Sequence, residues 1–498
     1  MNRNVVIAGQ AGFSFGGFLF GQAARFGYNL VVARMLGAEA LGIYALAIAV
    51  IQIAEVLAVS GLDSGVLRFV NLNSHDPLRQ KAAIGSAIKT GLFFSGAVTL
   101  LLLLFSAHIA SLLNGSRLLQ LAICCYAAAI PFNVATVLFG HAIQGFRQLK
   151  PKIIATQVLS PFLLLLLTVL LRFAVGRDEA LLLPFALAAA GAFFWIRPFL
   201  KKNSGVVSMD IVHARSDKAM LAYAVPFMAV SLLSMMTHWL DVMMLGMLTD
   251  TATVGLYHPA ARTAGLLRSV LLAFAGIAAP MIAELHSRNQ NVEIGRIYKM
   301  VTRWILSIVI PPAILFMVLP ESVLGVFGAR FAAGGTTALF LLTAASFMQA
   351  TFGLSATVLA MTGYARLSLF NALFALGLQV GLNLLLIPRM GINGAALATL
   401  LVFLLLSALR VGEIGHFLKI HPFGKALWKP LVAALLTVGL LMAVRSWLLT
   451  LPEFAGLAAG ASLSLCSYTA LMLLLKLEEE EREIILKLLP FLDRKPKR

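Results

Sequence analysis

Long apolar segments follow one another along nearly the whole chain, and no other feature restricts its fold so tightly. A helix that spans a bilayer needs about 20 mostly apolar residues. About fourteen such stretches can be marked off, over roughly residues 6–35, 41–68, 83–112, 118–144, 153–174, 180–200, 219–248, 254–283, 298–320, 336–362, 367–388, 393–417, 430–450 and 455–476. Several exceed 25 residues, which implies tilt or extension beyond the hydrocarbon. A soluble chain carries about a quarter charged residues. This one carries 12%, with 60% hydrophobic residues and a mean hydropathy of +0.92. The chain is therefore read as an all-α integral membrane protein. The run after Arg3 has the outline of a signal peptide, but it continues through Gln22 and Arg25 to about residue 35 and reads as the first span.

Cys124, Cys125 and Cys466 all sit inside apolar runs and fit neither a disulfide framework nor a zinc pattern. No metal or cofactor is expected. The net charge of +18 points to loops held at the cytoplasmic face rather than to nucleic acid. With a cytoplasmic N-terminus, the inside loops collect Arg79 and Lys81, Arg147, Lys150 and Lys152, Arg197 to Lys218, Arg288 to Lys299, Lys419 to Lys429 and the basic end Arg494 to Arg498. The bias is roughly 26 cations inside against 7 outside. A multi-pass plasma (inner) membrane protein with both termini cytoplasmic follows.

The halves of the chain repeat. Met35-Leu36-Gly37 followed by Gly42-Ile43-Tyr44 recurs as Met244-Leu245-Gly246 followed by Gly255-Leu256-Tyr257. Ala135 to Leu138 with Gly145 to Leu149 recurs as Ala356 to Leu359 with Gly363 to Leu367. The shared offset is one six-helix unit. Because six is even, the halves enter the bilayer from the same side, as parallel pseudo-symmetric lobes with a pathway expected between them. The expected organisation is a six-helix lobe over 1–200, a cytoplasmic linker over 201–218, a second lobe over 219–418, two further helices over 419–477 and a tail over 478–498. The tail, with its glutamates followed by Ile484, Leu488 and Phe491, could lie along the inner leaflet.

A charge at the centre of a span costs about 2.5–3.5 kcal/mol on insertion scales, so each one needs a partner or a task. On span one, Gln10, Ser14, Gly17, Gly21, Arg25 and Tyr28 share one arc. On span two, Tyr44, Gln52, Glu55 and Asp63 do the same, with Arg68 at the end. On span seven the stripe is Ser231, Ser234, His238 and Asp241. On span eight it is His258, Arg262, Gly265 and Ser269, with Tyr257 and Arg268 beside it. Arg34, Arg330 and Arg389 lie near span ends and read as snorkelling residues. Arg25 is too deep for that. The surplus of arginine points to an anionic cargo, since guanidinium forks match phosphate. Arg25, Arg262, Arg268, Tyr28 and Tyr257 are thus the candidates for cargo binding. Asp241 with His238, and Asp63 and Glu55, are candidates for ion coupling, because a carboxylate beside an imidazole can titrate near neutral pH.

The run Ala33-Arg34-Met35-Leu36-Gly37-Ala38-Glu39-Ala40-Leu41-Gly42-Ile43-Tyr44 resembles a signature of the polysaccharide transporter family. So does Gly61-Leu62-Asp63-Ser64-Gly65-Val66-Leu67-Arg68-Phe69. Asp241 to Gly246 with Val254 to Tyr257, and Asn383 to Ala396, look like counterparts in the second half. The similarity is to oligosaccharidyl-lipid (Wzx-like, O-antigen) flippases of the multidrug/oligosaccharidyl-lipid/polysaccharide superfamily. It implies two six-helix lobes about a V-shaped central cavity, plus two C-terminal helices. It also implies flipping of an undecaprenyl-diphosphate-linked oligosaccharide to the outer leaflet by alternating access, with cation antiport as the proposed drive. The protein would work as a monomeric unit among membrane lipids, alongside glycosyltransferases and a polysaccharide polymerase.

A multidrug cation antiporter of the same superfamily would want an acidic cavity, which the arginines oppose. A lipid II flippase shares the basic character and stays open as an alternative. An O-antigen polymerase or ligase would need a large external loop. The longest outside connection, about residues 321–335, is short and mostly apolar, so the chain is not read as an enzyme. Nothing resembles a channel's selectivity filter.

Overall fold

The computed structural model describes residues 3–206, 210–211, 214 and 217–475, with side chains from Gly12 onward. The expected tail and residues 207–209, 212–213 and 215–216 of the expected linker lie outside the described residues, as does the side chain of Gln10. All regular elements among the described residues are helices. Twelve helical stretches are long and apolar enough to cross a membrane. The first, Gly12–Leu72, runs to 61 residues and turns at Gly37. Dividing it there and adding the 21-residue helix Pro184–Ser204 gives the expected fourteen.

Boundaries differ from the expected ones where a local residue redirects the chain. Helix α1, Arg3–Val59, holds both of the first two expected spans. Gly37 lies between them at φ 85°, ψ 178°, a backbone conformation that costs a Cβ-bearing residue heavily. The second span is broken again at Ser60 and Gly61, both at positive φ, so that Asp63 and Arg68 belong to a separate helix, α2 (Leu62–Leu72). Helix α3, Pro77–Leu112, starts on Asp76, whose carboxylate accepts from the Leu78 and Arg79 amides at 3.1 Å while Pro77 fills the first turn. Expected span four is α4 (Arg117–Ala127) and α5 (Ile130–Gly145). Expected span five is Lys150–Ile153 (α6), a π-helical turn over Ile154–Leu159, and Ser160–Ala174 (α7). Arg177–Leu182 (α8) and Pro184–Ser204 (α9) follow. Helix α10, Lys218–Leu248, is capped by Asp217 in the same way as α3, and α11 spans Thr251–Ser287.

The chain forms two compact units, residues 1–259 with 383–395, and residues 260–382 with 396–498. In the first unit α1 is the central element, touching α3, α4, α5, α7 and α10. Its most buried stretch is Leu41, Ile43 and Ala45 to Ala49, nearly all closed to solvent. In the second unit, α12 (Asn291–Val318) packs against α14 (Ala329–Phe352), α18 (Trp428–Thr450) and α19 (Glu453–Leu474). Gly456, Gly460 and Ser464 line the buried face of α19 at four-residue spacing. A Cβ at Gly460 would come within 2.6 Å of Leu319, and Ser464 donates to the Pro311 carbonyl at 2.9 Å. Small residues at this spacing let helices approach where water is absent and packing supplies the attraction. Helices α13 (Pro320–Gly325), α15 (Leu354–Met361), α16 (Ala365–Met390) and α17 (Ile392–Phe417) complete the series.

Candidate functional site

Arg25 sits on the face of α1 that packs against the π-helical turn. Gly17 and Gly21 make that approach possible: a Cβ on Gly17 would overlap Ile153, and one on Gly21 would stand 2.5 Å from the Gln157 carbonyl oxygen. Part of the polar stripe expected on span one is therefore a helix seam. Half-buried Arg25 lies beside it. Its Nη1 donates to Gln22 Oε1 and Gln157 Oε1, both at 3.3 Å, and its Nη2 donates to Gln157 Oε1 at 3.2 Å and to the Thr156 carbonyl at 3.5 Å. All four bonds end on neutral oxygens. Among the described residues no carboxylate lies within ion-pair distance of it, so the guanidinium is solvated by protein amides but its charge is not cancelled. Extra backbone accommodated in a π-turn is a recurrent feature of functional sites in helices; here it brings Thr156 and Gln157 together onto one cation.

Further along the first unit, aromatic and polar side chains collect around Tyr44. Tyr28 is closed to solvent at 1% exposure, with its ring centroid 4.7 Å from that of Tyr44. Tyr44 meets His258 edge-on at 6.2 Å, and His258 stacks on Trp239 at 6.2 Å with 5° between planes. Trp239 Nε1 donates to Gln52 Oε1 at 3.0 Å. Asp241, two residues further along α10, accepts from Tyr257 Oη at 3.2 Å and from Asn383 Nδ2 at 3.0 Å. His238 adjoins this group through its ring contact with Trp239 at 5.2 Å. A chain of ring contacts thus runs from Tyr28 through Tyr44, His258 and Trp239 to His238, and Tyr257 is bonded to Asp241.

Glu55 and Asp63 have separate surroundings. Glu55 Oε1 accepts from Asn133 Nδ2 at 2.6 Å. Asp63 Oδ2 stands 4.0 Å from His141 Nε2, and that same nitrogen is 2.9 Å from Lys152 Nζ. In the second unit, Arg262 and Arg268 are half-buried on α11, and the Arg268 guanidinium covers Gly265, where a Cβ would be 3.1 Å from Nη2.

Asn133, His141, Gln157, Trp239 and Asn383 were not among the expected site residues, and Lys152 counted only as a loop charge. Asn133, His141 and Gln144 recur along span four at two-turn and one-turn intervals, so the face test used on spans one, two, seven and eight would have found them. Gln157 stands alone in an apolar run, and no periodicity marks it.

A family model described as "Polysaccharide biosynthesis protein" matches residues 10–286, more than half of the chain. The chain belongs to that family. It is similar to the "Probable low-salt glycan biosynthesis flippase Agl15" of Haloferax volcanii, with 23% identity over 465 residues covering 92% of this chain and 93% of the relative. Among solved structures it is similar to "Lipid II flippase MurJ, inward closed conformation", with a TM-score of 0.76 and 15% identity over 92% of this chain and 97% of the other. A MATE family multidrug resistance transporter of the MOP superfamily, in an inward-facing conformation, matches with a TM-score of 0.67 and 16% identity over 80% and 95% of the two chains. The fold of this polysaccharide biosynthesis protein is thus the one shared by MOP superfamily transporters, in a multi-pass membrane protein. Its relatives in these comparisons are flippases and transporters by name.

Proposed function

We propose that this protein flips a lipid-diphosphate-linked oligosaccharide from the cytoplasmic to the outer leaflet by alternating access. The observation that carries the reading is the state of Arg25: a cation inside a span, held in place by Gln22, Gln157 and Thr156 but not neutralised by them. Leaving a buried charge uncompensated is costly, and an anionic cargo group supplies the compensation. A diphosphate accepts the fork of an arginine through two parallel bonds, and the guanidinium stays charged throughout the physiological pH range. The glycan family and the flippase names of the relatives favour a lipid-linked glycan over a cationic drug.

In this reading Arg25 is the first anchor for the diphosphate, with Arg262 and Arg268 as further contacts during transit and Tyr28 and Tyr257 shaping the polar groups around it. Asp241 with His238, and Asp63 and Glu55, are the groups proposed for coupling to a cation. The charge bias of the loops supports cytoplasmic termini, and the outward direction is part of the proposal. Glycosyltransferases would make the cargo and a polymerase would consume it.

The test is a liposome assay with purified protein and a lipid-diphosphate oligosaccharide whose glycan is open to a membrane-impermeant probe only in the outer leaflet. Protein-dependent exposure of that cargo is the expected result. Transport of a cationic dye with no movement of the glycolipid would overturn the reading, and movement of lipid II alone would reassign the cargo to the cell-wall precursor.

A further inference from the structure

Three ionisable side chains from three helices of the first unit meet beside the π-turn: Asp63 on α2, His141 on α5 and Lys152 on α6. Their hydrogen bonds limit how many protons they can hold. His141 Nδ1 is 2.9 Å from the Val137 carbonyl, an oxygen that only accepts, so Nδ1 carries a hydrogen. His141 Nε2 and Lys152 Nζ are 2.9 Å apart. One proton can lie between two basic nitrogens at that distance; an imidazolium and an ammonium would point hydrogens at each other. The pair therefore carries one positive charge, and Asp63, partly open to solvent and 4.0 Å from Nε2, balances it.

We infer that Asp63, His141 and Lys152 form an exchangeable proton site whose occupancy is passed to Arg25. Uptake of one further proton from water by way of Asp63 places a hydrogen on both His141 Nε2 and Lys152 Nζ. The Nε2–Nζ contact then breaks. Nε2–H turns to Asp63 Oδ2, and Lys152 keeps its bond to Gln144 Oε1, now 2.7 Å long. Lys152 is the residue whose carbonyl accepts from Thr156 Oγ1 at 2.9 Å, and the Thr156 carbonyl and Gln157 side chain hold Arg25. A shift of the Lys152 segment thus moves the groups that aim the guanidinium. Gly140 leaves the room for this, since a Cβ there would stand 2.9 Å from the Lys152 stem.

Several charged groups on the surrounding helices have partners of their own. Glu55 is bonded by Asn133, Arg68 lies 4.2 Å over the Tyr223 ring, and Lys89 donates to the Ala214 carbonyl. Lys150 lies over Phe13 at 5.6 Å. The packed helices also carry Arg79, Lys81 and His108 on α3, Arg34 and Glu39 on α1, Lys218, His238 and Asp241 on α10, and Arg197, Lys201 and Lys202 near the end of α9.

The inference rests on the flipping reading, and the experiment separates the two. In liposomes the ratio of glycolipid flipping with a pH gradient to flipping without one is measured for the wild type, His141→Gln and Lys152→Met. A wild type that moves no glycolipid refutes the flipping reading itself. A wild type that flips equally with and without the gradient refutes the proton site alone. The expected result is a several-fold stimulation in the wild type and a ratio near one in both variants. Wild-type stimulation in either variant would overturn the inference. Should a variant be inactive in both conditions, binding of the lipid-linked cargo to detergent-solubilised protein at pH 6 and pH 8 decides: binding that has lost the pH dependence of the wild type supports the site, and binding that keeps it overturns it.

Discussion

Gly42 and Gly255 meet so closely that a methyl group on either would overlap the backbone of the other's helix. A Cβ on Gly42 would overlap the Thr251 carbonyl, and one on Gly255 the Ala38 carbonyl. Each overlapped carbonyl lies four residues before the opposite glycine, so the crossing of α1 and α11 is reciprocal. These are the two glycines that the internal repeat matched, and the repeat has a physical counterpart in a backbone-to-backbone contact. Gly42→Ala and Gly255→Ala should each lower the thermal unfolding midpoint in detergent, by an overpacking cost of about 1–3 kcal/mol or more. Gly246→Ala is the control, because its Cβ would meet only the flexible end of Leu46 and should cost less.

Replacing Arg25 by alanine should reduce glycolipid flipping by about 100-fold, the loss of about 3 kcal/mol from charge-assisted bonds to a diphosphate. Arg25→Lys keeps the charge without the fork and should retain part of the activity. Full surface-glycan complementation by the alanine variant, at normal membrane levels, would remove Arg25 from the cargo path.

Gln157→Leu should lower flipping by about 10-fold while leaving unfolding little changed. The guanidinium loses its main neutral partner, and a misdirected fork loses roughly one charge-assisted bond. The check is a comparison of the two measurements in one protein preparation; a large fall in stability with unchanged flipping per folded molecule would make Gln157 a packing residue only.

Asn383 is fully buried and joins α16 to Asp241 on α10. Asn383→Leu would leave the Asp241 carboxylate short of a donor, and the unfolding midpoint should fall by the equivalent of about 1–3 kcal/mol. Tyr257→Phe removes a longer bond, 3.2 Å, and should cost less. The order of the two midpoints tests which group holds Asp241.

Asp241→Asn keeps the shape of the side chain and removes its charge. If Asp241 takes part in ion coupling, gradient-driven flipping in liposomes should fall toward the ungraded rate while the folded fraction holds. Gradient dependence equal to that of the wild type would take Asp241 and His238 out of coupling.

The apolar runs made the helical membrane fold legible because each span carries its own evidence: length and hydropathy are local, additive properties of some twenty residues. Arg25 was legible for the same reason, as a charge where insertion is expensive. The breaks at Gly37 and at Ser60–Gly61 were not, because a glycine signals freedom of the backbone and only the packed neighbours decide whether it is used. Asn133, His141 and Gln144 recur at helical intervals along span four, so that polar face was legible too, but their partners were not.

The sequence by itself determined that this chain lives in a membrane, repeats, and carries cations inside its spans. Only the tertiary structure decided what each of those groups faces. Partnership depends on which turn of one helix lies beside which turn of another, a relation that hydropathy and spacing along one span do not give. That is why Arg25 and Gln157, or His141 and its two charged neighbours, became visible as sites only once the helices were packed.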